Sequence, residues 1–353
     1  MIIILPSSFA CNCSSNDGIG GDWNPPLSIA FIAAGNEGYE IYRVHHNGTG
    51  LTKLTYNVSD KFDISWSPDG SKIAYVADDG QIYLIGVHVS GIIRLTNDTD
   101  NNTTPTWSPD GTKIVYISYS APGNNEIYII DADGSNQISL TGDYEISEYK
   151  DLTWSPDGSR IAFLGSRFIT TIGLTYDLYC MDVDGSNLVN ITDDPDYRHS
   201  PAWSPDGTEI AFYSNNVGAY EPGFEDGLSV VHADFDRGNV GGTRMIHHLE
   251  NNMDVVPQWS PDGSKIAFFS DRFGDEEIYI LNVSDYTPSR IINISNNSEG
   301  NDRYPAWSPN GAKLAFASDR DGDWDIYVVN ADGSGQTYIT NSTRDEYYPV
   351  WSP

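Results

Sequence analysis

Basic residues are scarce in this chain. Lys and Arg number 19 against 50 Asp and Glu, a formal charge of -31. A polyphosphate partner needs a basic face, so nucleic acid is excluded as a ligand. Cysteine is almost as rare. Cys11, Cys13 and Cys180 are too few and too unevenly placed for a disulfide framework, and no C-x-x-C pair or c-type haem motif occurs. Neither a G-x-S-x-G elbow nor an H-E-x-x-H helix is present, and the repeats leave no room for a hydrolase domain. The adjacent pairs His45-His46 and His247-His248 do not make a metal site on their own, because neighbours on a strand point apart. Helical patterning is also missing: no segment joins helix caps to apolar residues at helical spacing. Apolar content, by contrast, is ample. With 39% hydrophobic and 12% aromatic residues the chain can bury a large core, so its acidity is not the signature of disorder.

The first 27 residues read as a leader and flexible linker. Met1 to Leu5 is apolar, and a Cys follows a small residue at Ala10-Cys11, as in a lipoprotein signal in which the Cys is lipidated. No Lys or Arg precedes Cys11, so another processed leader and an ordinary tail stay open beside lipidation at Cys11.

What dominates the rest is repetition. Trp-Ser-Pro begins at Trp66, Trp107, Trp154, Trp203, Trp259, Trp307 and Trp351, at spacings of 41, 47, 49, 56, 48 and 44 residues. Periods of this size mark propellers. After the first six phrases an Asp-Gly or Asn-Gly turn leads into an apolar run such as KIAYVA from Lys72 or KIAFFS from Lys265. Pro presets the turn, Gly accepts positive φ, and the flanks are β-branched or aromatic, so each phrase is a hairpin. A third strand follows, as in EIYII from Glu126 or DIYVV from Asp325, and a short fourth strand ends in forms such as Leu95-Thr96. The unit is a four-stranded antiparallel blade, and the chain an all-β, seven-bladed β-propeller over residues 28–353.

The two ends complete each other. SIAFIA from Ser28, EIYRV from Glu40 and LTKLT from Leu51 are strands two to four of a blade without a first strand, and YYPVWSP at the C-terminus is a first strand with nothing after it. Pairing them removes two exposed edges and closes the ring. Trp23-Asn24-Pro25-Pro26 imitates the missing phrase but lacks Asp-Gly, and ranks below the C-terminal strand.

The succession W-S-P-D-G-x-K-I-A-F, E-I-Y, D-G-S-N and L-T resembles the WD-repeat-like propeller repeat of TolB, from Ser28 to Pro353. The α/β domain that precedes the TolB propeller has no counterpart here. The repeat implies the fold rather than one activity, since it resembles modules in periplasmic scaffolds, peptidase accessory domains and polysaccharide lyases.

Specificity on such a scaffold is expected on its loops. The links between strands two and three share a face with those from strand four to the next blade. Blades four and five lengthen the former to GSRFITTIGLTYD and SNNVGAYEPGFEDG, and Phe168, Tyr176, Tyr220 and Phe224 there are candidate exposed anchors for a protein or glycan. The other links rim the channel. Asp60, Asp63, Glu145, Glu148, Asp196, Asp254, Asp302, Asp345 and Glu346 would make an electronegative mouth for a cation or basic peptide, with Arg198, His199, Arg303 and Arg344 placed to neutralise it locally. A dispersed solvated surface is the other reading of so acidic a rim. Calcium is the one cofactor the acidic loops suggest. Asp319, Asp321, Asp323 and Asp325 offer hard oxygen ligands to calcium, although they do not match an EF-hand and alternate along a strand. Sequons at Asn47, Asn57, Asn97, Asn102, Asn190, Asn282, Asn293 and Asn341 suit glycosylation in a secreted protein, and several follow the fourth strand.

These features lead to the expectation of a non-enzymatic, extracytoplasmic or cell-surface binding or scaffold propeller. It would take a protein or glycan partner and touch a membrane only through an N-terminal lipid. A self-associating subunit of a surface layer or filament is one alternative; a propeller-type polysaccharide lyase or hydrolase is the other.

Overall fold

The computed structural model describes residues 27–35, 38–56, 59–88, 91–121, 124–142, 144, 146, 148–169, 173–192, 197–215, 227–233, 244–248, 256–271, 274–283, 291–297 and 300–353. They form seven four-stranded antiparallel sheets and, among the described residues, no helix. The sheets are the blades of a propeller.

Blade one joins the chain termini: Glu346–Trp351 pairs antiparallel with Ser28–Gly35, followed by Gly38–His45 and Thr52–Lys53. The other blades run in sequence order, with innermost strands Lys61–Trp66, Asn101–Trp107, Tyr149–Trp154, Tyr197–Trp203, Gln258–Trp259 and Asp302–Trp307. The expected closure through the C-terminal strand is thus present, and Ser28 and Ser352 lock it with Ser352 N–H to Ser28 O at 2.8 Å and Ser28 N–H to Ser352 Oγ at 3.1 Å.

The core lies between blades rather than inside one. Ala30, Ile32, Ile41 and Ile64 of blades one and two pool with Ile73 and Tyr75; Phe268, Tyr279 and Leu281 of blade six pack on Ala211 and Leu228 of blade five. One blade is a single sheet and cannot bury its own faces, so stacking supplies the core. Each fully buried large side chain contributes on the order of 1.5–3 kcal/mol.

The repeated phrase has a specific job at each place. In Trp66-Ser67-Pro68-Asp69-Gly70, the Ser67 hydroxyl donates to Asp69 Oδ1 at 2.6 Å and accepts the Lys72 N–H at 2.9 Å, while Asp69 accepts the Ser71 N–H at 3.0 Å. Gly70 closes the turn at φ 67°, a value that disfavours a side chain. The tryptophan reaches outward instead. Trp66, Trp107, Trp154, Trp259, Trp307 and Trp351 donate their indole N–H to Val350, Ser65, Thr106, Ala202, Gln258 and Ala306 O, each in the preceding blade, at 3.0 to 3.2 Å. E-I-Y and L-T meet as a third lock. The hydroxyls of Thr55, Thr96, Thr141, Thr192, Ser295 and Thr340 at the end of strand four accept the N–H of Ile41, Ile82, Ile127, Leu178, Ile278 and Ile326 at the start of strand three.

Candidate functional site

Strand alternation breaks at the same place in six innermost strands. Tyr348, Asp63, Thr104, Asp151, Ser200 and Tyr304, each three residues before its blade tryptophan, have φ between 50° and 58°. The ladder slips there, as between Phe62 and Ser65 or between Arg303 and Ala306. A bulge of this kind re-aims side chains and frees a backbone N–H. Asp tolerates the left-handed region and supplies the acceptor: Asp63 Oδ2 takes the Thr104 N–H at 2.9 Å, and Asp151 Oδ2 takes the Ser200 N–H at 2.8 Å, in both cases across a blade seam. Burial pushes the Asp63 carboxyl up to about 6, against the Thr104 N–H that lowers it.

Where two tyrosines occupy these positions, an aromatic arc results. The Tyr304 and Tyr348 ring centroids lie 4.3 Å apart. Tyr347 lies 6.0 Å from Tyr348 and 5.6 Å from Trp324 in the strand-two to strand-three turn of blade seven. Arg303 stands 5.4 Å over Trp324 and is itself paired with Glu276. Tyr39 and Phe62 continue the line onto blades one and two, 6.4 Å apart. Tyr304, Tyr347, Tyr348 and Trp324 are half-buried beside carboxylates, for Asp345 accepts the Trp324 N–H at 3.2 Å and Asp63 lies close enough to raise the Tyr348 hydroxyl. Burial first, then Asp345 for Tyr347 and Tyr304 followed by Asp63 for Tyr348, keep these hydroxyls protonated. Aromatic rings and phenol donors beside the half-buried Asp345 carboxylate, with Asp63 buried beneath them, suit a sugar ring or a cationic side chain.

Several expected site residues are placed elsewhere. Phe168 is 72% exposed, opposite Leu174 on the blade-four hairpin. Tyr176, expected on the surface beside it, is buried: its hydroxyl donates to Glu148, Lys150 Nζ lies 4.0 Å over its ring and Tyr197 packs edge-on at 5.2 Å. Asp302, Glu346 and Arg198 do not project into a mouth, because their position, five before the blade tryptophan, faces the blade seam; all three are buried. Arg198 pairs with Asp177 at 3.6 Å, and Asp302 accepts Arg320 at 3.0 Å. Arg303 and Asp345 do reach the arc, and His199 lies 4.6 Å from Tyr197. Asp196, Asp254, Tyr220, Phe224, Asn57 and Cys11 lie outside the described residues.

The four aspartates offered to calcium do not gather as one ligand set. Asp319 accepts the Asn301 N–H at 2.5 Å, Asp321 takes the Tyr327 hydroxyl, and Asp325 is buried toward Thr340 and Ser342. Among the described residues no three His, Cys, Asp or Glu side chains gather as a metal-ligating group. Of the sequons, Asn47, Asn97 and Asn341 are exposed, and Asn282 and Asn293 half-buried. Asn190 donates to Asp177 at 2.9 Å. Asn102 is fully buried and donates to Asp98 at 3.0 Å, which removes it as an acceptor in the folded protein. Cys180 is buried, and burial pushes its thiol up to about 12, a packing residue rather than a nucleophile. The Ser28 hydroxyl lies 3.1 Å from His45 Nδ1, but Ser28 is buried within the clasp.

Tyr304, Tyr347 and Tyr348 were visible in the sequence as RYPAW and YYPVW, aromatic residues at fixed offsets before a blade tryptophan. That offset is the signal that identifies them.

No curated protein matches the chain. Among solved structures, an oligogalacturonate lyase from Vibrio parahaemolyticus is 15% identical with a TM-score of 0.68, covering 92% of this chain and 90% of its own. A second, an oligogalacturonate lyase in complex with manganese, is 16% identical with a TM-score of 0.67 over 86% and 85%. TolB from Acinetobacter baumannii is 16% identical with a TM-score of 0.53 over 93% and 83%. Likeness at such identity shows the fold alone. In sequence, the TolB beta propeller domain matches residues 21–122, 76–171 and 160–353, and with the blades, locks and clasp in place the chain belongs to that family.

Proposed function

We propose that this protein is a non-enzymatic binding propeller that acts outside the cytoplasm and captures a protein or glycan on its loop-bearing face. The observation that carries this reading is the half-buried arc Tyr304, Tyr348, Tyr347 and Trp324 beside Asp63 and Asp345. Aromatic faces kept partly open on strained backbone are expected of a recognition surface rather than of packing alone. The leader-like N-terminus and the exposed sequons support an extracytoplasmic location.

Calorimetric titration with neutral and anionic oligosaccharides and with synthetic basic peptides tests the reading. At least one probe should bind the wild type and lose about tenfold or more in affinity in Trp324→Ala, about 1.4 kcal/mol, at an unchanged fold. Equal binding by both proteins would remove the arc from the site. Turnover of an anionic oligosaccharide would replace the binding reading with a lyase or hydrolase.

A further inference from the structure

In six blades whose residues are described here, the residue five positions before the blade tryptophan stands at or next to the start of the innermost strand and is pressed into the seam with the preceding blade. Lys61, Asn102, Tyr149, Arg198, Asp302 and Glu346 are all at most 3% exposed. The seams differ in what this residue meets. Lys61 meets Glu40 at 3.4 Å, and Arg198 meets Asp177 at 3.6 Å. Asn102 and Tyr149 meet amide, hydroxyl or carboxylate partners, as in Tyr149 N–H to Asn125 Oδ1 at 3.1 Å. Asp302 faces Glu277 but is held by Arg320 through both oxygens at 3.0 Å.

Among the described residues, the seam of blades seven and one brings two buried acids, Asp325 and Glu346, onto the same Ser342 with no cation paired to either. Ser342 bridges Glu346 and Asp325: its hydroxyl donates to Glu346 Oε1 at 2.9 Å and its N–H to Asp325 Oδ1 at 3.4 Å. Glu346 Oε2 is buried without a hydrogen bond, and neither carboxylate has an ion-pair partner among the described residues. The surrounding charges do not help. Asp321 and Asp323 on blade seven are acidic, Arg344 of the link is turned to the Tyr42 hydroxyl, Arg320 is held by Asp302, and Glu346 faces Ala33 across the sheet. Two ionised carboxylates buried together are strongly unfavourable.

We propose that the closed ring keeps a proton on the pair of acids Asp325 and Glu346, making the C-terminal clasp a latch that tightens in acid and loosens as its surroundings turn alkaline. Burial pushes Glu346 up to about 7, against the Thr340 and Ser342 hydroxyls that lower it and with Asp325 and Asp323 adding to the rise; burial chiefly pushes Asp325 up to about 6. Both folded values exceed the unfolded ones, so the folded ring keeps protons that the unfolded chain releases. The stabilisation is complete below the ordinary carboxylate range and is lost as pH rises through 6 to 7. Tyr347 and Tyr348 follow Glu346 on the same strand, so the latch also holds half of the aromatic arc, but it stands whatever that face binds.

Melting the full chain in chelator from about pH 5 to about pH 8 tests the latch with Glu346→Gln and Asp325→Asn. The wild-type Tm should fall more steeply than that of Glu346→Gln, which should stand about 2–4 °C above wild type at the alkaline end and lose that advantage in acid. Hydrogen exchange of the Glu346–Trp351 amides, corrected for intrinsic rate, should quicken in wild type at the alkaline end relative to Asn101–Trp107, and not in the variant. Should Glu346→Gln fail to fold, Asp325→Asn carries the same comparison. Parallel melting profiles overturn the proposal. So does a wild-type Tm restored at the alkaline end by calcium, which would make the seam a cation site.

Discussion

Trp66 of blade two donates its indole N–H to Val350 O at 3.2 Å, across 284 residues of chain. The next residue, Trp351, donates to Ala306 O of blade seven at 3.0 Å. The closing strand is therefore bonded to both neighbouring blades as well as to Ser28–Gly35. Removing the last ten residues should abolish cooperative unfolding, read as loss of the thermal transition. Trp351→Ala should cost about 3–5 kcal/mol, and Trp351→Phe, which strands the Ala306 carbonyl but keeps an aromatic ring, about 1 kcal/mol, by urea denaturation.

Thr96 shows how much of the E-I-Y and L-T signal is structural. Its buried hydroxyl accepts the Ile82 N–H at 2.9 Å and receives Asn102 at 3.3 Å. Thr96→Val keeps the shape and orphans a buried N–H, so stability should drop by about 1–3 kcal/mol. Thr337→Val, at an exposed position on the outer strand of blade seven, should stay within about 0.5 kcal/mol.

Asp63 carries its own pH signature. Because its folded value is raised to about 6, its contribution to stability is greatest in acid and is lost as pH passes upward through that value. Asp63→Asn preserves an oxygen for the Thr104 N–H and should flatten this part of the Tm profile. A basic peptide bound at the arc should gain affinity from about pH 5 to about pH 7 with the wild type and not with Asp63→Asn, as calorimetry would report.

Glycan occupancy should follow exposure rather than the sequon alone. In protein expressed in its native host, peptide mapping by mass spectrometry should find glycans on Asn47, Asn97 or Asn341 and none on Asn102, which is buried. Modification of Asn102 would mean that attachment precedes folding of blade three.

The blades and their closure were legible because every device that builds them is local: a Ser-Pro-Asp-Gly turn, a period-two apolar run and a hydroxyl at the end of strand four. Candidate site residues were less legible for a geometric reason. Tyr176 sits in a variable loop segment by sequence, yet the blade-four hairpin extends through Arg160–Ile169 and Gly173–Asp182 and turns that ring inward onto Tyr197. Asp302 and Glu346 belong to the same acidic links as Asp60, but lie one step into the strand, where the seam begins.

The sequence by itself determined that there are seven four-stranded units and that the last strand completes the first, because periodicity and turn chemistry act over a few residues and an unpaired edge at each end has one complement. Only the tertiary structure decided which carboxylates meet water, which meet a cation and which meet each other. It also decided which tyrosines touch. Those outcomes depend on a bulge that breaks strand alternation and on the offset between neighbouring blades, which brings Tyr304 beside Tyr348 and Glu346 beside Asp325 from separate repeats.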